Sequence, residues 1–139
     1  MENSFVVDNS VIMSWCFKDQ ANAYADSVLE KLAGATAYVP SVWPLHVTSV
    51  LLAAERRNYI SEADSVRFIN LLSGLPIFVQ HESPERAMKD LFGLARAYDL
   101  SSYDASYLDL AMKKGLPLAT LDQKLRKAAA AVKLPIYLL

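Results

Sequence analysis

The chain is short of the features that would announce several common chemistries. It has one cysteine, Cys16, so no internal disulfide can form, and a reducing compartment is expected. Glycine is scarce, with four in 139 residues. There is accordingly no glycine loop to cradle a phosphate, and no G-x-S-x-G nucleophile elbow. Neither sign of charge dominates: 14 Lys and Arg stand against 15 Asp and Glu, a net charge of −1. That excludes a broad polyanion-binding surface and leaves only local basic patches. No apolar run reaches membrane-spanning length. No signal-peptide pattern is read at the start, because Met1-Glu-Asn-Ser leads straight into strand-like residues, and a cytoplasmic location is expected.

What the chain does have is a core-forming composition, 53% hydrophobic and 21% charged. With its length, this reads as one folded domain over residues 1–139. Short apolar runs read as strands: Phe5–Val7, Ala35–Val39, Ile77–Val79, Leu116–Thr120 and Pro135–Leu139. Helical patterns lie between them, closing at Gly34, starting near Trp43, opening at the capping signal of Ser61, and running from Ser83 to Tyr98. Another begins after Ser101 and Ser102, carries Ala105, Leu108, Ala111 and Met112 on its apolar face, and stops at Gly115. Strands alternating with helices predict an α/β fold with a parallel sheet covered on both faces.

Three carboxylates fall at telling places in this pattern. Asp8 leaves the first strand, read as running into the polar turn Asp8-Asn-Ser10; Asp122 leaves the Leu116–Thr120 strand; Asp104 stands just inside the helix between them. Ligands of open α/β sheets bind outside the carboxyl ends of the strands. Asp is also a favoured helix cap, so any one of these residues has a structural reading. Three converging carboxylates repel one another by several kcal/mol at low effective dielectric, an order-of-magnitude figure. A hard divalent cation relieves that repulsion and suits phosphodiester hydrolysis.

The segments VVDNSVIMSWCF, YVPSVWPLHVTSVLLAAERR and LSSYDASYLDLAMKKGLPLATLDQKLRKAA resemble those of PIN-domain ribonucleases, specifically the VapC-type toxins of bacterial toxin–antitoxin pairs. The resemblance covers nearly the whole chain, and the last segment is its most specific part. It implies a PIN-like three-layer sandwich with a central, mostly parallel sheet of four to five strands covered by helices. It also implies Mg²⁺ or Mn²⁺ as cofactor, RNA as substrate, a homodimer, and a VapB-like antitoxin as partner. Asp8, Asp104 and Asp122 match the family's catalytic and metal-binding acids, and Ser10 and Thr120 match supporting hydroxyl residues. Where the family has a glutamate this chain has His46, and the asparagine three residues on is Ser49.

At that position His46 is expected to face the carboxylates, as a neutral metal ligand or as an imidazolium replacing part of the cation's charge. Beside three acids its proton is expected to be held more tightly than in water, with weak Mg²⁺ binding that improves as pH rises. Lys124 is the cation expected closest to the site and the candidate for RNA phosphate contact. Asp109 is expected to be solvated or partner-facing, His81 an exposed loop residue, and Cys16 a buried structural thiol. The leading functional expectation is a metal-dependent endoribonuclease. The alternative is a catalytically impaired PIN-fold module that binds RNA or an antitoxin-like partner.

Overall fold

Four strands, all parallel, lie in the order β3-β2-β1-β4 in the computed structural model, which describes residues 3–139. They are β1 (Ser4–Val7), β2 (Thr36–Pro40), β3 (Ile77–Gln80) and β4 (Leu118–Ala119). Phe5, Val6 and Val7 of β1 are entirely buried, as befits a central strand covered on both faces. Chain order runs outward from β1 through β2 to β3, then returns to place β4 on the other side of β1. The point between β1 and β4 is therefore the switch point of the sheet, where a crevice opens at the strands' C-terminal ends.

The helices are α1 (Asn9–Cys16), α2 (Ala23–Lys31), α3 (Trp43–Arg56), α4 (Glu62–Ser73), α5 (Pro84–Arg86), α6 (Phe92–Tyr98), α7 (Ser102–Lys114) and α8 (Gln123–Ala131). Their ends follow local chemistry. Ser61 and Asp64 form a reciprocal capping box on α4, Ser101 caps α7 by accepting from the Asp104 amide, and Gly115 ends α7 with φ +65°. α7 packs against both β1 and β2, and its Ala105, Tyr107, Leu108 and Ala111 are wholly buried.

Four expectations are corrected. The segment after Asp8 is not a turn; it enters α1 at once, because the Asp8 side chain caps the free amides of Ser10 and Val11. The Ser83–Tyr98 helix is interrupted by a π-helical stretch, Ala87–Leu91, between α5 and α6. The last segment pairs only at the single bridge Leu118–Ile136, since β4 offers two residues to pair with. Met112 is 43% exposed, so the buried face of α7 is narrower than the apolar pattern suggests.

Candidate active site

Asp8 and Asp122 are both helix caps, at the C-terminal ends of adjacent strands. Asp8 Oδ1 accepts from the amides of Ser10 (3.1 Å) and Val11 (3.3 Å) and from the Ser10 hydroxyl (2.6 Å). Its Oδ2 accepts from the Thr120 hydroxyl at 2.6 Å. Asp122 caps α8 by accepting from the Lys124 amide at 3.1 Å. The Thr120 oxygen in turn accepts from the Asp122 amide, and the Ser10 oxygen accepts from the Leu121 amide, each at 3.0 Å. Two small hydroxyl residues thus lace the β1–α1 turn to the β4–α8 turn. Capping and site geometry are the same interactions here.

Asp104 comes to this edge from α7. Its carboxyl lies close enough to that of Asp122 for one to hydrogen-bond the other when protonated. Burial raises the Asp104 pKa first, the Asp122 charge adds to it, and the Lys124 ammonium partly offsets both. Asp8 is 2% exposed, and burial pushes its pKa up to about 6 against the lowering effect of its hydrogen bonds; the Asp104 charge adds to the rise. Asp104 and Asp122 are partly exposed, with Asp8 sunk behind them. Among the described residues, no three His, Cys, Asp or Glu side chains stand close enough together to hold a metal ion as they are placed. The Asp104–Asp122 pair nevertheless fits a hard dication in donor type and in its only partly compensated charge.

His46 departs from its expected surroundings. Its Nδ1 is 3.1 Å from the hydroxyl of Tyr107, and its ring packs between Tyr107 (centroids 6.0 Å apart) and Tyr103 (5.8 Å). Burial lowers its pKa, opposite to the expected rise. Tyr107 itself is wholly buried, and its phenol is pushed up by burial and then by the charges of Asp8 and Asp104. Its proton stays in place at every physiological pH. It has one hydrogen-bond partner among the described residues, His46 Nδ1, and the His46 tautomer sets which of the two donates. Tyr107 escaped the reading of the sequence, although it sits three residues after Asp104, one helical turn along the same face.

The remaining candidates divide. Ser10 and Thr120 are in the network, whereas Ser49 is exposed and lines a separate depression with Met13, Gln20 and Arg57. Lys124 is near Asp104 but its Nζ is paired with Asp99 at 3.1 Å. Asp109 is not solvated: its side chain is 14% exposed, ion-paired to Lys113, and raised to about 6 by burial and by Glu82. His81 is exposed, as expected. Cys16 is only partly buried, and lies at a hollow of about 670 Å³ with Trp15, Phe17, Tyr59 and Phe68; burial raises its thiol pKa, so it is not an activated nucleophile.

A parallel sheet in this order, with acids at its switch point, agrees with a family match that spans residues 5–131, to the PIN domain. The chain belongs to the PIN domain family. PIN domains are generally nucleases and typically use divalent metals. Among the solved structures that share the fold of this PIN domain are the following two. One is the crystal structure of PAE2754 from Pyrobaculum aerophilum, 20% identical, TM-score 0.69, covering 92% of this chain and 86% of that one. The other is a toxin–antitoxin complex from Klebsiella pneumoniae, 18% identical, TM-score 0.58, covering 86% and 88%. No curated protein matches the chain.

Proposed function

We propose that this PIN domain is a divalent-metal-dependent endoribonuclease, the VapC-type toxin of a toxin–antitoxin pair. The observation that carries the reading is the Asp104–Asp122 pair at the sheet's switch point, backed by the buried, hydroxyl-bound Asp8. Mg²⁺ or Mn²⁺ bound there supplies an activated water and neutralises charge on the phosphate. Asp104 and Asp122 hold the ion. Asp8 is the inner acid, held by Ser10 and Thr120 so that its carboxylate cannot swing away. Lys124, once it leaves Asp99, is within reach of a phosphate beside Asp104. His46 stands where the resemblance places a glutamate but brings no charge, and the reading keeps it out of the ligand set because imidazole prefers softer ions than Mg²⁺ or Mn²⁺.

The partners belong to the same proposal. A VapB-like antitoxin is the inhibitor, in keeping with a structural neighbour solved as a toxin–antitoxin complex. A homodimer is supported by the exposed apolar side chains of α4: Val66, Ile69 and Leu71 are 58%, 41% and 48% exposed.

A second reading, a PIN module that binds RNA or an antitoxin-like partner without cutting RNA, draws on the lack of a ready three-ligand cluster among the described residues. Cleavage of RNA with Mg²⁺, Mn²⁺ or Zn²⁺, with and without chelator, separates the two. The nuclease reading expects chelator-sensitive cutting that Asp104→Asn abolishes. Retained RNA binding with no cutting under any ion overturns it in favour of the second.

A further inference from the structure

From Pro84 to Tyr98 the chain crosses the surface as α5, the π-helical stretch and α6, and no side chain in these three elements is fully buried. A segment with so little apolar burial opens locally at low free energy unless other contacts hold it. Here a charge network fastens it to α7. Lys113 Nζ lies 2.6 and 2.7 Å from the two Glu82 carboxylate oxygens and also contacts Asp109. Arg86 pairs with Glu82 at 2.7 Å and with Asp90 at 3.3 Å, and its Nη1 is 3.9 Å from Asp109 Oδ2. Ala87 and Leu91 of this strap form one wall of a hollow of about 230 Å³. Its other walls include Pro40 and Gln80, which end β2 and β3, and Ser106 and Asp109 of α7.

The network does not balance. Three carboxylates, Glu82, Asp90 and Asp109, meet two cations, Arg86 and Lys113. Among the described residues the lining of the hollow adds one further titratable group, the exposed His81. The other charged groups of the packed elements do not join: Glu85 and Lys89 are exposed, Arg96 lies over the Phe92 ring and Lys114 over the Tyr38 ring. A proton removes the excess charge, and the least solvated acid takes it. The Asp109 side chain is 14% exposed, against 25% for Glu82 and 44% for Asp90. Its carboxyl lies close enough to Glu82 to hydrogen-bond it when protonated. Burial raises the Asp109 pKa to about 6, with the Glu82 charge adding and the Arg86 charge opposing. Protonated, Asp109 leaves two cations to two carboxylates. Ionised, it adds a third anion that water solvates better once the strap has lifted.

We propose that Asp109 and Glu82 form a proton latch, which holds the Pro84–Tyr98 strap on α7 at mildly acidic pH and releases it as pH rises, opening the hollow at the ends of β2 and β3. The inference goes beyond the nuclease reading and uses none of its acids. The closed-state pKa of Asp109 lies above the ordinary 3.8, so the closed strap binds the proton more tightly than the open one. Closure is therefore strongest at low pH and weakens as pH climbs through about 6.

Hydrogen exchange of the whole chain at pH 5 and pH 7.5, expressed as protection factors from mass spectrometry, tests the latch. The readout is protection within residues 84–98 relative to α4, which cancels any loss of global stability. That ratio is expected to fall about tenfold between the two pH values. Asp109→Asn keeps a donor for Glu82 but cannot ionise, and is expected to abolish the fall. Glu82→Gln leaves two acids for two cations in every state; it is expected to shrink the fall, and it decides the matter if Asp109→Asn does not fold. His81→Gln removes the neighbouring group whose type titrates in this range, and is expected to leave the fall unchanged. A wild-type ratio that is the same at both pH values overturns the latch. So does a fall that survives in full in Asp109→Asn or Glu82→Gln, or one that disappears in His81→Gln.

Discussion

The Tyr107 hydroxyl lies 3.1 Å from Nδ1 of His46, and this contact ties α3 to α7 beside the candidate site. Tyr107 is wholly buried, so its hydroxyl has no water to turn to. His46→Ala is expected to destabilise the fold by about 1–3 kcal/mol by stranding that hydroxyl. Tyr107→Phe, which removes the hydroxyl and keeps the ring, is expected to cost less. Urea unfolding of both variants checks the order, and the reverse ranking would show that the contact is not what His46 provides.

Asp8 sets a pH dependence. Its folded pKa is about 6 against an ordinary 3.8. The folded state therefore holds the proton more tightly than the unfolded chain does. The resulting stabilisation is complete below pH 3.8 and is lost as pH rises through about 6, amounting to at most about 3 kcal/mol. Without metal, the protein should lose stability between about pH 4 and pH 7 by this contribution, and Asp8→Asn should remove it. Thr120→Val, which withdraws the 2.6 Å donor from Asp8, should steepen the loss. Denaturation midpoints in chelator at the two pH values provide the measurement. An unchanged slope in Asp8→Asn would refute the assignment to Asp8.

His46→Glu is expected to strengthen Mg²⁺ binding about tenfold or more, because it adds a negative charge and a hard oxygen where a neutral imidazole now stands. Burial already keeps His46 neutral near pH 7, so wild-type binding should change little on account of His46 between pH 7 and pH 8. Titration calorimetry of both proteins tests this. Equal affinities would mean that position 46 does not reach the ion.

The exposed apolar side chains of α4 provide a test of assembly. Ile69→Asp is expected to convert a dimer to a monomer with little effect on folding, since Ile69 is 41% exposed while the inward Phe68 and Leu72 are 6% and 7% exposed. Light scattering at tens of micromolar reads the mass, and a wild-type monomer would count against the dimer.

Much of the fold is legible locally. Phe5–Val7, Ile77–Val79 and the capping residues Ser61 and Ser101 mark strands and helix starts, because backbone preference, apolar period and capping are properties of contiguous residues. The same local signals put Asp8 and Asp122 after strands and Asp104 at a helix start. They also mislead where neighbours in space intervene. The last segment has strand character, yet β4 gives it one bridge; Asp109 has surface spacing, yet Lys113 and Glu82 enclose it.

The sequence by itself determined most of the strands and helices, though not the last strand or the break at Ala87–Leu91, and that three acids stand at their ends. Only the tertiary structure decided that β4 lies against β1 and not against β3, which brings Asp122 to within one threonine hydroxyl of Asp8. It alone also set the Tyr107 phenol against His46 and buried the imidazole, and that burial reverses the expected shift of the histidine. The reason is physical. Strand order and the desolvation of a side chain depend on how faces distant in sequence bury one another, and no window of contiguous residues carries that information.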